Sequence, residues 1–342
     1  MSEQLKVWVM APNSALYHCL KENTMLFSFV DDPVDADCII FENDDPAYIT
    51  QTATFKQWPQ KCIAVNEADV PSFYLPGCYA SNRHGWLSTG RAKTIPYIIS
   101  QRTIANPFIR EIDEHTQQRY LYSFKGGSTS WVRKKLFKNK PVAADVCIEE
   151  SNQYYHWTYD DLYMEQKKAQ QQEYAALLAQ SSFFLCPRGA GTGSIRLFEV
   201  IQAGRIPVII SDAWIPQSNI PWHEFSITIP EKDIAKLDNI IRAHANRAET
   251  LTANVKKAWN EYFSLENDLK LLYDAVKNIQ SNRNEKREQL IRSIFPLLKW
   301  KNALKEKVRS FAKFTILKCY ALLGKEFPYS LNRPISEQLA KK

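Results

Sequence analysis

The amino-acid sequence predicts an α/β protein made of two doubly wound domains, followed by a basic helical extension. Short apolar segments bounded by polar turns alternate with helix-like stretches over the first 280 residues. Such segments are typical of strands buried on both faces of a parallel sheet, in which helices connect successive strands. A chain of 342 residues also exceeds the usual size of a single hydrophobic core, so we expect two domains.

The N-terminal domain is predicted over residues 1–119. Its clearest strands are LKVWVM (5–10), CIIF (38–41) and CIAVNE (62–67). Proline-containing connections follow these strands. The charged stretch REIDEHTQQR (110–119) predicts the boundary with the next domain.

The second domain is predicted over residues 120–280. It opens with the strand YLYSF, the loop KGGSTS and a helix that begins at WVRKKLF. The later part contains a helix over 164–180, the strands FFLCP, IPVIIS and FSITIP, and helices over 231–246, 249–263 and 265–279. Strands that alternate with helices in this way predict a parallel sheet with right-handed crossovers.

Residues 281–342 are predicted to form the basic extension. They contain 15 Lys and Arg but only 5 Asp and Glu, so they account for the net charge of +7. Apolar residues recur every three or four positions, at Leu297, Trp300, Leu304, Val308 and Phe311. Such a helix could pack on the protein body, or residues 283–342 could adsorb to an anionic membrane surface. The body itself is nearly neutral and does not indicate nucleic-acid binding.

Several classes of protein are disfavoured by the sequence. Its seven cysteines are scattered singly, without a Cys-x-x-Cys pair or a Cys/His cluster, which predicts reduced thiols and no structural zinc. Neither a signal-peptide pattern nor an apolar segment of about 18 residues is visible. We therefore expect a cytoplasmic protein, either free or peripheral at the inner face of the membrane.

One segment, FFLCPRGAGTGSIRLFEVIQAGRIPVIISD (183–212), predicts a strand, a glycine-rich loop, a helix and a second strand. Parallel sheets bind ligands at the carboxyl ends of their strands, where Gly189 and Gly191 would let backbone N–H groups approach a ligand. The helix starts near Ser194, and its positive end suits a phosphate or diphosphate. Ser194 stands where G-x-G-x-x-G requires glycine, and no Lys-Ser/Thr pair is present, so neither common phosphate loop matches.

Charged residues near this loop complete a predicted anion-and-sugar site. Arg188 would donate to phosphate oxygens. Arg196 and Glu199 share one helix face, and the carboxylate could accept both hydroxyls of a ribose. We expect Glu199 on the helix surface, so that its removal would cost little stability. Lys125 and Arg133 are further candidate phosphate contacts. Tight turns with an Arg196–Glu199 surface ion pair would also explain the pattern.

The segment SSFFLCPRGAGTGSIRLFEVIQAGRIPVIISD resembles the signature of the exostosin-type glycosyltransferases. Their pattern is roughly S-x-F-C-L-x-P-x-G, then S-x-R-L-F-E-A-I and G-C-I-P-V-I-I-S-D. The similarity continues through PWHEFSITIPEKDI and RYLYSFKGGSTSWVRKKLF, so it covers about residues 120–245 well and the N-terminal third poorly. Arg205 replaces the usual Cys and Val200 the usual Ala. Without a visible anchor, the chain is similar to a bacterial member of the family.

The resemblance implies a GT-B type transferase with two facing Rossmann-like domains. The second domain would bind a nucleotide-diphosphate sugar, usually a UDP-sugar, and the first a glycan or glycolipid acceptor. By position, Arg188 would face the diphosphate with Ser194 and Arg196 nearby, and Glu199 would bind the ribose. Transfer is expected to invert the anomeric centre without a cofactor. The Asp-x-Asp triplet at 35–37 precedes its strand, so no metal site is predicted there.

An inverting transfer needs a general base, expected from the N-terminal domain. Glu42, Asp44 and Asp45 follow a predicted strand, His84 lies in a later loop, and His156 lies in an aromatic stretch. Since none of these is singled out, a second interpretation stays open, namely a non-catalytic sugar-nucleotide or glycan-binding module that supports a partner transferase. A kinase-like nucleotide enzyme is disfavoured by the missing Lys-Ser/Thr pair.

Overall fold

The first third of the chain forms a six-stranded parallel sheet. The computed structural model describes residues 4–110, 112–113, 116–151, 160–297, 300 and 315. The strands are β1 (Leu5–Val9), β2 (Phe27–Phe29), β3 (Cys38–Phe41), β4 (Cys62–Asn66), β5 (Gly77–Tyr79) and β6 (Ala92–Thr94), and their order is β2-β1-β3-β4-β5-β6. The connecting helices are α1 (Ala15–Lys21), α2 (Pro46–Ile49), α3 (Ala53–Gln57) and α4 (Ile98–Thr103).

A second, five-stranded parallel sheet follows. It contains β7 (Tyr120–Gly126), β8 (Val146–Glu150), β9 (Ser181–Pro187), β10 (Ile206–Ile210) and β11 (Ile227–Thr228), in the order β11-β10-β9-β7-β8. Its helices are α5 (Trp131–Lys138), α6 (Met164–Ala179), α7 (Ile195–Gln202), α8 (Leu237–Arg242) and α9 (Ala248–Ala258), and α10 (Asp268–Ser281) comes after them. The predicted two-sheet α/β architecture is confirmed.

Four strands were missed by the sequence pattern, namely β2, β5, β6 and β8. Three of them have only three residues, too few to show a periodic apolar pattern, and they depend on pairing with their neighbours. The helix predicted over 231–246 is divided into a 3₁₀ segment (Glu231–Lys236) and α8, and a π-helical turn (Trp259–Phe263) follows α9.

The helix α10 does not pack with the domain to which its sequence position assigned it. Its apolar side chains, including Leu269, Leu272 and Val276, belong to the core of the first sheet. Arg102 of α4 donates two hydrogen bonds to Asp268 at the start of α10, of 2.6 and 3.0 Å. The chain therefore returns to the first domain after it has completed the second sheet.

The carboxyl edges of the two sheets face each other. The indole Nε1 of Trp214, after β10, donates to the carbonyl oxygen of Ala80, after β5, over 3.2 Å. The hydroxyl of Thr192, after β9, donates to the carbonyl oxygen of Asn82 over 3.1 Å. Strand order reverses between β1 and β3 in the first sheet and between β7 and β9 in the second. Ligands of open α/β sheets bind at such switch points.

Residues 285–297 form a helix at the start of the basic extension. Leu297 and Trp300 are each 67% exposed. The predicted apolar positions beyond Trp300 lie outside the described residues, as does His156. Within the part of the chain that the structure describes, no helix is both long and apolar enough to cross a bilayer.

Candidate functional site

An open pocket lies beside the switch point of the second sheet. Its floor comes from the carboxyl ends of β7 and β8, at Lys125, Gly126 and Ser151, and its walls come from α6 and α7. Arg196 and Glu199 of α7 line it. The structure thus brings Lys125, Arg196 and Glu199 together, three of the residues that the sequence predicted for donor binding.

Arg196 lies between two aromatic rings at the pocket wall. Its guanidinium carbon is 5.0 Å from the Phe124 ring centroid and 5.4 Å from that of Tyr174, and its Nε donates to the Tyr174 hydroxyl over 3.3 Å. Only 8% of Arg196 is exposed. Gly126 makes room for it, because a Cβ atom there would lie 3.2 Å from Nη2. The cation is therefore held in place before any ligand binds.

Glu199 is buried, and the expectation of a surface carboxylate is wrong. It is 9% exposed, and the other residues from Arg196 to Ile201 of α7 are buried as well. Burial raises the pKa of Glu199, while the charge of Arg196 and a hydrogen bond from Tyr174 act in the opposite direction. The alternative of a surface ion pair between Arg196 and Glu199 is therefore also wrong.

Lys125 at the end of β7 contacts two carboxylates. Its Nζ is 3.0 Å from Glu149 Oε2 and 2.5 Å from Glu173 Oε1. Burial lowers the pKa of Lys125, but the hydrogen bonds with Glu173 and Glu149 outweigh this effect and raise it. Both carboxylates are exposed, and ion pairs of that kind contribute little free energy. Lys125 could therefore exchange them for a phosphate at small cost.

Arg133 and Arg188 do not line this pocket. Arg133 is buried, and its Nε and Nη1 donate to the carbonyl oxygens of Pro187 and Gly127, each over 3.3 Å. Arg188 Nε donates to Glu231 Oε1 over 2.7 Å. Glu231 also accepts the Asp212 N–H over 3.1 Å. Arg188 thus joins the loop after β9 to the segment after β11, and Glu231 in turn binds the loop after β10.

The glycine loop approaches the first domain closely. A Cβ atom on Gly191 would lie 2.6 Å from both Asp69 Oδ1 and Ser81 Oγ, and one on Gly193 would lie 2.6 Å from the Ala80 carbonyl oxygen. Burial raises the pKa of Asp69, while a hydrogen bond from the Gly191 N–H and the charge of Arg133 lower it. The loop at Gly191 therefore lies directly against the Asp69 and Ser81 side chains of the first domain.

Two other predicted residues flank this contact. Gly189 lies next to Arg133, with its ideal Cβ position 3.4 Å from Nη2 of that arginine. Ser194 is the N-cap residue of α7, yet its side chain makes no capping hydrogen bond. The first turn of α7 therefore keeps N–H groups that the Ser194 hydroxyl does not satisfy.

We expect Gly191→Ala to lower the thermal unfolding midpoint by several degrees. The added methyl group must displace the Asp69 and Ser81 side chains, and overpacking of this kind costs about 1–3 kcal/mol. Gly127→Ala is the matched control from the preceding loop, because its nearest neighbour would be 3.7 Å away. Equal unfolding midpoints for the two variants would show that the close approach of Gly191 to the first domain does not contribute to stability.

The four candidate bases occupy different environments, and none lines the pocket. Asp44 is buried, accepts hydrogen bonds from the Ser72 N–H and the Tyr79 hydroxyl, and has its pKa raised by burial. Asp45 caps α2, accepting the Ala47 N–H over 3.0 Å. His84 is exposed. Glu42 has one buried carboxylate oxygen, Oε2, without a hydrogen-bond partner among the described residues.

One carboxylate at this edge, Glu67, was missed, and it too lies outside the pocket. It follows β4 directly, so the pattern that singled out Glu42 after β3 could have found it. Its Oε1 accepts the Ile99 N–H over 2.7 Å, and its Oε2 accepts the N–H and hydroxyl of Ser100 over 3.0 and 2.6 Å. Burial raises the pKa of Glu67 to about 7, despite these hydrogen bonds.

A family model, curated relatives and a solved structure are similar to this chain. The family model described as Exostosin GT47 domain matches residues 58–244, so the similarity also includes the second half of the first domain. The Exostosin-1 homolog of Caenorhabditis elegans is 28% identical over 185 residues, which cover 51% of this chain and 48% of that protein. Exostosin-1 of Drosophila melanogaster is 37% identical over 94 residues, covering 27% of this chain and 12% of that protein.

The match thus spans about half the length of the first of these relatives and a smaller part of the second. Among solved structures, a crystal structure of an α1,3-fucosyltransferase aligns over 82% of this chain and 91% of that chain. Its TM-score is 0.41 and its sequence identity is 12%.

Proposed function

The chain belongs to the exostosin GT47 family, and from that premise we propose that it is a glycosyltransferase. It would move a sugar from a nucleotide-diphosphate donor, in the first instance a UDP-sugar, to a glycan or glycolipid acceptor. The observation that carries this proposal is the pocket in which buried Arg196 and Glu199 meet Lys125 at the carboxyl edge of a parallel sheet. Pockets at such edges are the usual nucleotide sites of this architecture.

The order of groups along α7 supports one orientation of the donor. Glu199 would accept the ribose hydroxyls, and Arg196 and Lys125 would bind the diphosphate. Glu199 is five residues from Ser194, about 7 Å along a helix, which is comparable to the separation of a ribose from its diphosphate. The diphosphate would then lie at the positive end of α7. The transferred sugar would project beyond it, toward the first domain.

Other predicted residues would complete the site only after exchanging partners. Arg188 would leave Glu231, and the loop at Gly191 would move away from Asp69, to bind phosphate oxygens. Gly189, Ser194 and Arg133 lie beside them. Cationic side chains and a helix terminus can stabilise a departing diphosphate, so we propose an inverting transfer that requires no metal. Adsorption of residues 283–342 to an anionic membrane, at the cytoplasmic face, stays part of the proposal.

A non-catalytic donor-binding module is the second candidate function. It is favoured by one observation, that Glu42, Asp44, Asp45 and His84 all lie outside the pocket. Such a module would bind the donor and would support a partner transferase. The two functions differ in turnover, since both predict donor binding but only the transferase releases nucleotide in the presence of an acceptor.

Thermal unfolding against UDP, GDP, CMP, TDP and their sugar conjugates tests the donor site. A ligand at about 100 times its Kd adds about 2.7 kcal/mol, which should raise the midpoint by several degrees. We expect one nucleotide family to stabilise the protein, and Glu199→Gln to reduce that response. Glu150→Gln, at the exposed end of β8, should respond like the wild type. If no nucleotide stabilises the wild type, the proposed function is wrong.

A further inference from the structure

We propose that Glu67 is the general base that accepts the proton of the acceptor hydroxyl, an inference that rests on the glycosyltransferase function proposed above. Glu67 follows β4 at the carboxyl edge of the first sheet, which faces the second domain. Two residues later, Asp69 lies against the glycine loop, where its Oδ1 would be 2.6 Å from a Cβ atom on Gly191. Glu67 therefore lies next to the segment of the first domain that touches the donor loop.

A second contact lies between α4, whose N–H groups donate to Glu67, and α7. Tyr97 immediately precedes α4, and its ring centroid is 6.0 Å from that of Phe198 in α7. Its hydroxyl oxygen would be 3.0 Å from a Cβ atom on Gly193, the residue before the α7 N-cap. The N-terminal ends of α4 and α7 thus approach each other, and the Glu67 carboxylate accepts hydrogen bonds from the N-terminal end of α4.

The proposed donor orientation requires a base on this side. With the ribose at Glu199 and the diphosphate at the start of α7, the anomeric carbon lies toward the first domain. In an inverting displacement the acceptor oxygen approaches that carbon from the side opposite the diphosphate. The group that takes the proton must therefore come from the first domain and must lie within hydrogen-bond reach of the acceptor.

The hydrogen bonds of Glu67 hold its carboxylate in one orientation, and one of its oxygens can still accept a further hydrogen bond. Oε2 accepts two hydrogen bonds, from the N–H and hydroxyl of Ser100, whereas Oε1 accepts one, from the Ile99 N–H. A carboxylate oxygen has two lone pairs, so Oε1 can accept a further hydrogen bond. The residue is only partly buried. An acceptor hydroxyl could therefore donate to Oε1.

The charges around Glu67 suit proton transfer near neutral pH. Burial raises its pKa to about 7, and the negative charge of Glu42 adds to the increase. Tyr97 and Cys19 also face it, and burial raises the pKa of each, to about 12 for the thiol, so both are neutral at pH 7. A base is most effective when its pKa is close to the working pH.

The proposed step is balanced within the donor, the acceptor and Glu67. The acceptor O–H bond breaks, its proton goes to Glu67 Oε1, and the oxygen electron pair forms the bond to the anomeric carbon. The bond from that carbon to the diphosphate oxygen breaks, and its electron pair stays on the diphosphate. Arg196 and Lys125 would stabilise the added negative charge. Glu67 then releases its proton to solvent.

The experiment measures nucleotide release by the full chain, with the nucleotide sugar that stabilises the wild type in the melting panel and a set of mono- and oligosaccharide acceptors. We expect Glu67→Gln to lower kcat by about 10²–10⁴-fold and to keep donor-induced stabilisation. For the wild type, kcat/KM should fall about tenfold per pH unit below pH 7, because a protonated base cannot act. The residual rate of Glu67→Gln should lack this decline.

Three further variants separate the base from a purely structural cap. Ser100→Ala removes one hydrogen bond to Glu67 but keeps its carboxylate, so it should keep the decline at low pH and most of the rate above it. Because this hydrogen bond lowers the pKa of Glu67, the decline should begin at a higher pH than in the wild type. Glu150→Gln and Glu249→Gln, at exposed positions that do not line the pocket, should retain full activity. Wild-type turnover in Glu67→Gln, or an equal loss in Ser100→Ala, would overturn the proposal. Failure of the wild type to bind any nucleotide sugar would instead overturn the transferase function.

Discussion

Arg196→Met is expected to lower the free energy of unfolding by about 3 kcal/mol at neutral pH. The substitution keeps most of the apolar contact with the Phe124 and Tyr174 rings but removes the charge that offsets buried Glu199. Removing one partner of a buried charge pair is costly, because it leaves the other charge uncompensated. Denaturant unfolding of the wild type and the variant measures the loss, and donor-induced stabilisation should disappear with it.

The destabilisation by Arg196→Met should increase with pH. Without Arg196, the pKa of Glu199 in the folded protein rises further above its unfolded value, so the folded state favours the protonated carboxyl. That stability is present at low pH and is lost as the pH rises through the folded pKa. Unfolding measured at about pH 5 and pH 8 tests the sign.

Two variants control this prediction. Adding Glu199→Gln to Arg196→Met removes the uncompensated charge and should restore much of the stability. Arg247→Met, at an exposed arginine before α9, should change stability by no more than about 0.5 kcal/mol. If the double variant is no more stable than Arg196→Met alone, the charge of Glu199 is not the cause of the loss.

Gly77→Ala is expected to destabilise the first domain by about 3 kcal/mol or more. Gly77 opens β5, and a Cβ atom there would lie 2.3, 2.8 and 2.9 Å from the O, N and C atoms of Ala64 in β4. These are backbone atoms of a paired strand, so the clash can be relieved only by separating β4 from β5. The thermal unfolding midpoint measures the effect.

Gly85→Ala is the matched control for Gly77→Ala. It lies in the loop after β5, where the nearest atom to an added Cβ would be Ser88 Oγ at 3.6 Å. We expect its unfolding midpoint to stay within about a degree of the wild type, since ordinary van der Waals contact carries no penalty. If Gly77→Ala and Gly85→Ala have the same thermal unfolding midpoint, the sheet tolerates a side chain at position 77.

The class of fold and the position of the glycine loop and α7 could be predicted from the sequence alone. Strands such as β3, β4, β9 and β10 are buried on both faces, so each is a continuous apolar run that can be identified without its neighbours. The glycine loop followed by α7 is equally local, because its residues are consecutive in the chain. The same segment carried the family resemblance, which the family model over residues 58–244 confirms.

The environment of those residues depends on how distant segments pack, and it could not be predicted from the sequence. Glu199 is buried together with the rest of Arg196–Ile201 in α7. Arg188 is paired with Glu231 from 43 positions away, and α10 packs in the core of the first sheet. Glu67 differs from other loop carboxylates only through Ile99 and Ser100, which reach it from α4. Burial, ion pairing and a raised pKa depend on segments far apart in sequence. A local pattern can therefore propose a charged residue for a site, but only the packed structure gives it an environment.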